Sequence, residues 1–226
     1  MDRAAFTKAL HRHRVFRLMK LADIILWLEQ INDGTNLVEL RRRLSNPLAR
    51  VLIALAITPT QLNMFGLTTG IASAFYVGKG QFAVGAALLA FSALADAMDG
   101  FVARTLGTSS RFGEFFDSVC DRYVDTSLLL GLGWWFVERQ KTVYVLLIFC
   151  SIVGVVVTSY SRARAQSLHL EQGYTGFFNR PQRLITLIIC FAYPRCLEIV
   201  TWLFALLSNG AAVYRIVVYA AASRRE

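Results

Sequence analysis

Long apolar runs separated by short polar turns occupy the chain from residue 60 onward. Crossing a hydrocarbon core of about 30 Å takes about 20 helical residues. Six stretches approach or meet that length, near residues 60–78, 82–104, 114–137, 142–164, 181–197 and 198–221. The last two are separated at "AYPRCLE", where Pro194 and Arg195 interrupt the run. Ahead of the first run, "TNLVELRRRLSNPLARVLIALAI" alternates basic and apolar residues at helical spacing, the pattern of a helix lying on a membrane surface. Residues 4–31 form a second basic amphipathic stretch. The pattern predicts an all-α integral membrane protein with six transmembrane helices and an N-terminal cytoplasmic amphipathic helix. Its expected organisation is a basic amphipathic extension over 1–44 and a membrane domain over 45–226.

Composition agrees. Of 226 residues, 55% are hydrophobic and 17% charged, with a mean hydropathy of +0.47. Soluble domains carry about 25% charged residues. The net charge of +9 would raise nucleic acid as a partner for a soluble protein. In this setting it points to membrane orientation and an anionic substrate, with no nucleic acid. "LADIILWL" is short, contains Asp23 and precedes no small-residue cleavage site, so it is not read as a secretory signal. Cys120, Cys150, Cys190 and Cys196 lie in or beside apolar runs without a C-x-x-C pair, the usage of small buried residues.

Basic residues orient the spans. Eighteen Lys and Arg fall on the side that carries the N-terminus, the turn after the second run, the loop after the fourth, and the tail; four fall on the other side. Both termini are therefore expected in the cytoplasm, in a bacterial or archaeal inner membrane. Arg122 and Arg215 lie inside predicted spans.

Carboxylates are concentrated where a membrane protein should avoid them. Seven lie between residues 40 and 170, six of these between Asp96 and Asp125, in and around "DAMDGFVARTLGTSSRFGEFFDSVCD". Charge at membrane depth costs several kcal/mol, roughly, and marks function. Asp96 and Asp99 share a face at the end of the second span; Asp117 and Asp121 share one at the start of the third. A polar turn containing Gly107, Thr108, Ser109 and Ser110 folds the two helices into a hairpin, with the carboxylates facing one another near the cytoplasmic surface. Four facing carboxylates repel unless cations lie between them. No histidine occurs in the stretch, so the donors are hard oxygens and suit Mg²⁺ or Mn²⁺, two ions per site, as in phosphoryl transfer. Gly100 and Ala103 remove bulk beside Asp99, Gly113 relieves crowding where the next helix begins, and Arg104 is spaced to hold phosphate oxygens. Structural ion pairs, or a cation or proton transporter, are the alternatives. A transporter accounts for the carboxylates but not for the glycine, alanine and arginine at fixed offsets.

The stretch resembles the signature of the CDP-alcohol phosphatidyltransferase family, D-x-x-D-G-x-x-A-R-x8-G-x3-D-x3-D. Its fixed positions match Asp96, Asp99, Gly100, Ala103, Arg104, Gly113, Asp117 and Asp121. The resemblance runs from about residue 45 to 221 and implies transfer of a phosphatidyl group from CDP-diacylglycerol to an alcohol, with release of CMP. It implies that Asp96, Asp99, Asp117 and Asp121 hold metal and that Asp121 is also the general base. It further implies that Gly100, Arg104 and Ser110 contact the cytidine diphosphate, with Thr60, Gln61, Leu62 and Asn63 in "ITPTQLN" as further candidates. The alternative for Thr60 and Asn63 is a helix cap after Pro59. Asp125 lies outside the signature and is expected to pair with an arginine such as Arg122 or Arg162.

Arg162, Arg164, Arg180, Arg183 and Arg215 together suit a dianionic phosphate on the acceptor; headgroup binding is the alternative for the loop arginines. The loop is similar to that of the phosphatidylinositol phosphate synthase branch, with Y-x-K-A-R-A-E at Tyr160 to Gln166 and E-R-P-E-R at Asn179 to Arg183. Arg162 replaces lysine, and Gln166, Asn179 and Gln182 replace glutamates. The resemblance favours inositol phosphate as the acceptor, with glycerol 3-phosphate, as in phosphatidylglycerophosphate synthases, as the alternative. Gly66 and Gly70 in "FGLTTGIASA" offer a small-residue packing face that suits a homodimer among membrane lipids.

Overall fold

The computed structural model describes residues 47–169 and 177–223. The 4–31 stretch and the 35–57 segment up to residue 46 lie outside the described residues. Two compact units divide the chain, Met1–Arg50 and Val51–Glu226. The described residues form α1 (Pro47–Ala54), α2 (Pro59–Gly78), α3 (Phe82–Thr105), α4 (Arg111–Val137), α5 (Thr142–Ser167), α6 (Arg180–Ala192), a 3₁₀ turn (Pro194–Cys196) and α7 (Leu197–Ser223), with no strand among them.

Local chemistry sets the helix starts. Pro59 opens α2 behind a capping box: Thr58 Oγ1 accepts from the Gln61 N–H at 3.3 Å and Gln61 Oε1 from the Thr58 N–H at 2.8 Å. The cap is thus made by Thr58 and Gln61, not by Thr60 or Asn63. Ser110 caps α4 by accepting from the Gly113 N–H at 3.0 Å. Asn179 precedes α6, and its N–H donates to Gln182 Oε1 at 2.7 Å.

In the second unit α2 packs between α3 and α4, α5 lies against α4 and α7, and α6 closes on α3. Val77, Leu89, Leu128, Phe136 and Phe191 form the buried centre. The glycine face of α2 is spent inside the protomer. A Cβ on Gly66 would meet the Ser92 carbonyl oxygen at 3.4 Å, and one on Gly70 would meet Val124 Cγ1 at 2.7 Å. The reading of this stripe as a dimer face is corrected accordingly. Gly131 of α4 lies against the Ala74 backbone carbonyl, which cannot move aside as a side chain would. Gly131→Ala should therefore separate α2 from α4 and cost about 1–3 kcal/mol, read as a lower unfolding temperature in detergent. An unchanged midpoint would show that the crossing tolerates a methyl group.

Phe82–Thr105, Thr142–Ser167 and Pro194–Ala221 are long and apolar enough to cross a membrane, and the protein is an integral membrane protein. The other three expected crossings differ from these. Helix α2 carries Thr60, Gln61, Asn63, Thr68, Thr69 and Ser73, while α4 carries four charged residues between Asp117 and Asp125. Helix α6 ends at Ala192 rather than near 197, and its 13 residues reach about 20 Å at ~1.5 Å per residue. At the far end of α4, Arg139 stacks 4.0 Å from the Trp135 ring centre. Nearby, Glu198 of α7 pairs with Lys141 and accepts from Tyr144 Oη at 2.7 Å, tying α5 to α7.

Candidate active site

Helices α3 and α4 form the hairpin that the spacing predicts, with Gly107 taking φ +64° in the turn, a conformation glycine adopts without a Cβ clash. Carboxylate oxygens of Asp96, Asp117 and Asp121 lie within 4.8 Å of one another. Asp99 sits beside them, buried, with Oδ1 on the Gly100 N–H and Oδ2 accepting from Asn63 Nδ2 at 3.2 Å. The same Nδ2 donates to Asp117 Oδ1 at 2.8 Å. Asn63, Asp96, Asp117 and Asp121 line one cavity, together with Cys120 and Arg180.

Arg180, in the first turn of α6, lies among the carboxylates. Its Nη1 is 2.7 Å from Asp96 Oδ2, its Nη2 2.7 Å from Asp121 Oδ1, and its Nε 3.6 Å from Asp125 Oδ1. Arg183, one turn on, is buried with Nη2 2.9 Å from Asp125 Oδ2. Asp125 was expected to pair with an arginine such as Arg122 or Arg162. It does pair with arginines, but they are Arg183 and, at 3.6 Å, Arg180, because the face of α4 one turn beyond Asp121 turns toward α6. Arg122 instead reaches Asp121 at 3.5 Å. Arg215 of α7 is buried, and its Nη2 donates to Asn179 Oδ1 at 2.7 Å, so the intramembrane arginine faces the polar interior.

The structure thus gathers Arg180, Arg183 and, through Asn179, Arg215 on the carboxylate side of the bundle. Arg162 and Arg164 are exposed near the end of α5, where Arg164 Nη1 donates to Ser167 Oγ at 3.3 Å. Thr60 and Gln61 are exposed in the first turn of α2, whereas Leu62 and Asn63 are buried. Arg104 folds back over Gly100, its Nη1 3.1 Å from where a Cβ would be. Ser110 is exposed at the α4 cap. Two residues joined the site without being singled out for it. Asp125 was legible as the i+4 neighbour of Asp121; Asn179 carried only the signal of replacing a glutamate.

The residues present suit a hard divalent cation. The donors are oxygens alone, and the described histidine, His169, is not among them. A guanidinium already supplies positive charge between Asp96 and Asp121. Asn63 Oδ1 is buried without a hydrogen-bond partner, an acceptor left over beside the carboxylates.

Known proteins place this site in a class. Residues 53–222 match the CDP-alcohol phosphatidyltransferase family. The phosphatidylinositol phosphate synthase of Mycobacterium marinum is 34% identical over 177 residues, covering 74% of this chain and 75% of that protein. The archaetidylinositol phosphate synthase of Pyrococcus horikoshii is 34% identical over 194 residues, 84% of this chain and 98% of its own. The crystal structure of the Mycobacterium tuberculosis phosphatidylinositol phosphate synthase with CDP-DAG bound superposes with a TM-score of 0.70 at 32% identity, over 76% of this chain and 92% of that one. The same enzyme in complex with manganese and citrate gives a TM-score of 0.68, over 76% and 87%. The chain belongs to the CDP-alcohol phosphatidyltransferase family. It is a transferase of that type, in phospholipid biosynthesis.

Proposed function

We propose that this protein transfers the phosphatidyl group of CDP-diacylglycerol to the hydroxyl of an inositol phosphate and releases CMP. The observation that carries the reading is the meeting of Asp96, Asp117 and Asp121 with Arg180 and, through Asp125, Arg183. It is an anionic cluster beside a cationic one, as a diphosphate donor, cations and a phosphorylated acceptor require. Asp96, Asp99, Asp117 and Asp121 would hold two ions, Mg²⁺ or Mn²⁺; when bound, they neutralise the diphosphate and stabilise the leaving CMP. Asp121 takes the proton of the acceptor hydroxyl. That oxygen bonds to the phosphatidyl phosphorus as the anhydride P–O bond to CMP breaks, and the proton passes from Asp121 to water.

Gly100, Arg104 and Ser110, with Thr60, Gln61, Leu62 and Asn63, are assigned to the CDP-diacylglycerol pocket. Arg104, an exposed cation at the end of α3, is the group suited to its phosphates. Arg183 and Arg215 are assigned to the acceptor phosphate, with Arg162, Arg164 and Arg180 bordering it. Their donor-rich forks suit a dianion. The membrane domain is assigned to 45–226 with six crossings, α2, α4 and α6 completing those made by the three more apolar helices. The site and both termini are assigned to the cytoplasmic face of an inner membrane by the distribution of basic residues. A homodimer belongs to this reading only through a face other than Gly66 and Gly70; cross-linking in liposomes tests it.

The deciding assay measures CMP release from CDP-diacylglycerol with inositol 1-phosphate, glycerol 3-phosphate, inositol and serine in parallel. Turnover should be greatest with inositol 1-phosphate and at least about tenfold lower with inositol, which lacks the charge-assisted contacts of the phosphate. Preference for glycerol 3-phosphate would reassign the acceptor. Ion flux in liposomes without CMP from any alcohol would overturn the enzymatic reading.

A further inference from the structure

Asn63 is a buried amide set among charged groups. It sits on the second turn of α2 and is 8% exposed. Its Nδ2 bonds carboxylates from two other helices, Asp99 of α3 at 3.2 Å and Asp117 of α4 at 2.8 Å. One neutral amide therefore joins three helices at the point where two anions meet. The orientation of the amide is fixed by chemistry: the flipped form would set its oxygen against both carboxylates, acceptor against acceptor. Leucine, of similar size, would offer neither bond, and aspartate would add a third negative charge.

The rest of α2 is built to bring this amide into place. Asn63, Gly66 and Gly70 follow helical spacing on one face. The two glycines allow the close approach to Ser92 and Val124 that carries the helix between α3 and α4, while the Thr58–Gln61 box fixes where it starts. The opposite pole of the amide, Oδ1, is buried without a partner. Such an atom costs about 1–3 kcal/mol if it stays so, and Asn63 lines the cavity it shares with Asp96, Asp117 and Asp121.

We propose that Asn63 is a positioning residue for the divalent-cation site: it sets the orientation of Asp99 and Asp117 through Nδ2 and presents Oδ1 to what the carboxylates bind, a hard cation or its water. This rests on the metal-binding reading of the cluster and assigns Asn63 a duty apart from any contact with nucleotide. Hydrogen bonds to ligating groups typically govern affinity by about 10- to 100-fold when removed.

The experiment follows Mn²⁺ binding to the full-length protein in detergent by loss of the free-ion paramagnetic resonance signal. CDP-diacylglycerol binding and the Mn²⁺ dependence of turnover are measured alongside. Asn63→Leu is expected to weaken Mn²⁺ binding by about 10- to 100-fold and to raise the activating Mn²⁺ concentration in step. Asn63→Ser, polar but too short to span both carboxylates, should move the same way and serves if the leucine variant does not fold. Unchanged Mn²⁺ affinity in a folded variant overturns the proposal, and so does a loss confined to CDP-diacylglycerol binding. If the parent protein itself binds no Mn²⁺, the metal-binding reading fails and this one with it.

Discussion

Replacing Asp121 with asparagine should stop CMP release while CDP-diacylglycerol still binds. The substitution keeps shape and burial but replaces the basic carboxylate that takes the acceptor proton with a non-basic amide. General-base catalysis contributes about 10²–10⁴ in rate, and weaker cation binding would add to the loss. The fold should survive, because Arg180 keeps Asp96 at 2.7 Å and faces Asp125 at 3.6 Å when its contact with Asp121 is gone. Single-turnover measurement of CMP alongside a binding assay separates chemistry from affinity. Normal turnover in Asp121→Asn would place the base elsewhere.

Removing divalent cations is the second large effect. Dialysis against a chelator should abolish turnover, and adding Mn²⁺ or Mg²⁺ should restore it. Asp96, Asp117 and Asp121 bring their oxygens within 4.8 Å, and Arg180 and Arg122 set two positive charges beside them, with Asp99 a further anion alongside. A diphosphate entering beside these anions would meet repulsion that two guanidiniums do not offset. Binding to the native state alone also raises stability, by about 2.7 kcal/mol when the ion is at 100 times its dissociation constant. The melting temperature should therefore rise with Mn²⁺, and rise less in Asp96→Asn. Full activity in the chelator would remove cations from the mechanism.

Much of the architecture was written in local pattern. Apolar runs, Pro59 and Pro194, and the Ser110 cap report structure within a few residues of themselves, so an all-helical membrane protein and the α3–α4 hairpin could be read directly. The face shared by Asp117 and Asp121 is likewise a property of one helix, and it carried on to Asp125. Less legible were features in which one helix answers another. Gly66 and Gly70 looked like an intermolecular packing face, yet their partners are Ser92 and Val124 of the same chain. The length of α6 was overestimated because an apolar run does not reveal where Tyr193 will break the helix before Pro194.

The sequence by itself determined the chemistry on offer: hard oxygen donors on two helical faces, an arginine-rich loop, and enough apolar length to live in a membrane. Composition and short-range periodicity suffice for that, since they depend on residue type and spacing alone. Only the tertiary structure decided which charges meet. Asp125 found Arg183 and Arg180 as its arginines, Arg180 also came to lie between Asp96 and Asp121, and Asn63 bridged Asp99 and Asp117 across 36 and 54 positions of chain. Such pairings follow from how α2, α4 and α6 are rotated and how closely they pack, and no local spacing encodes that.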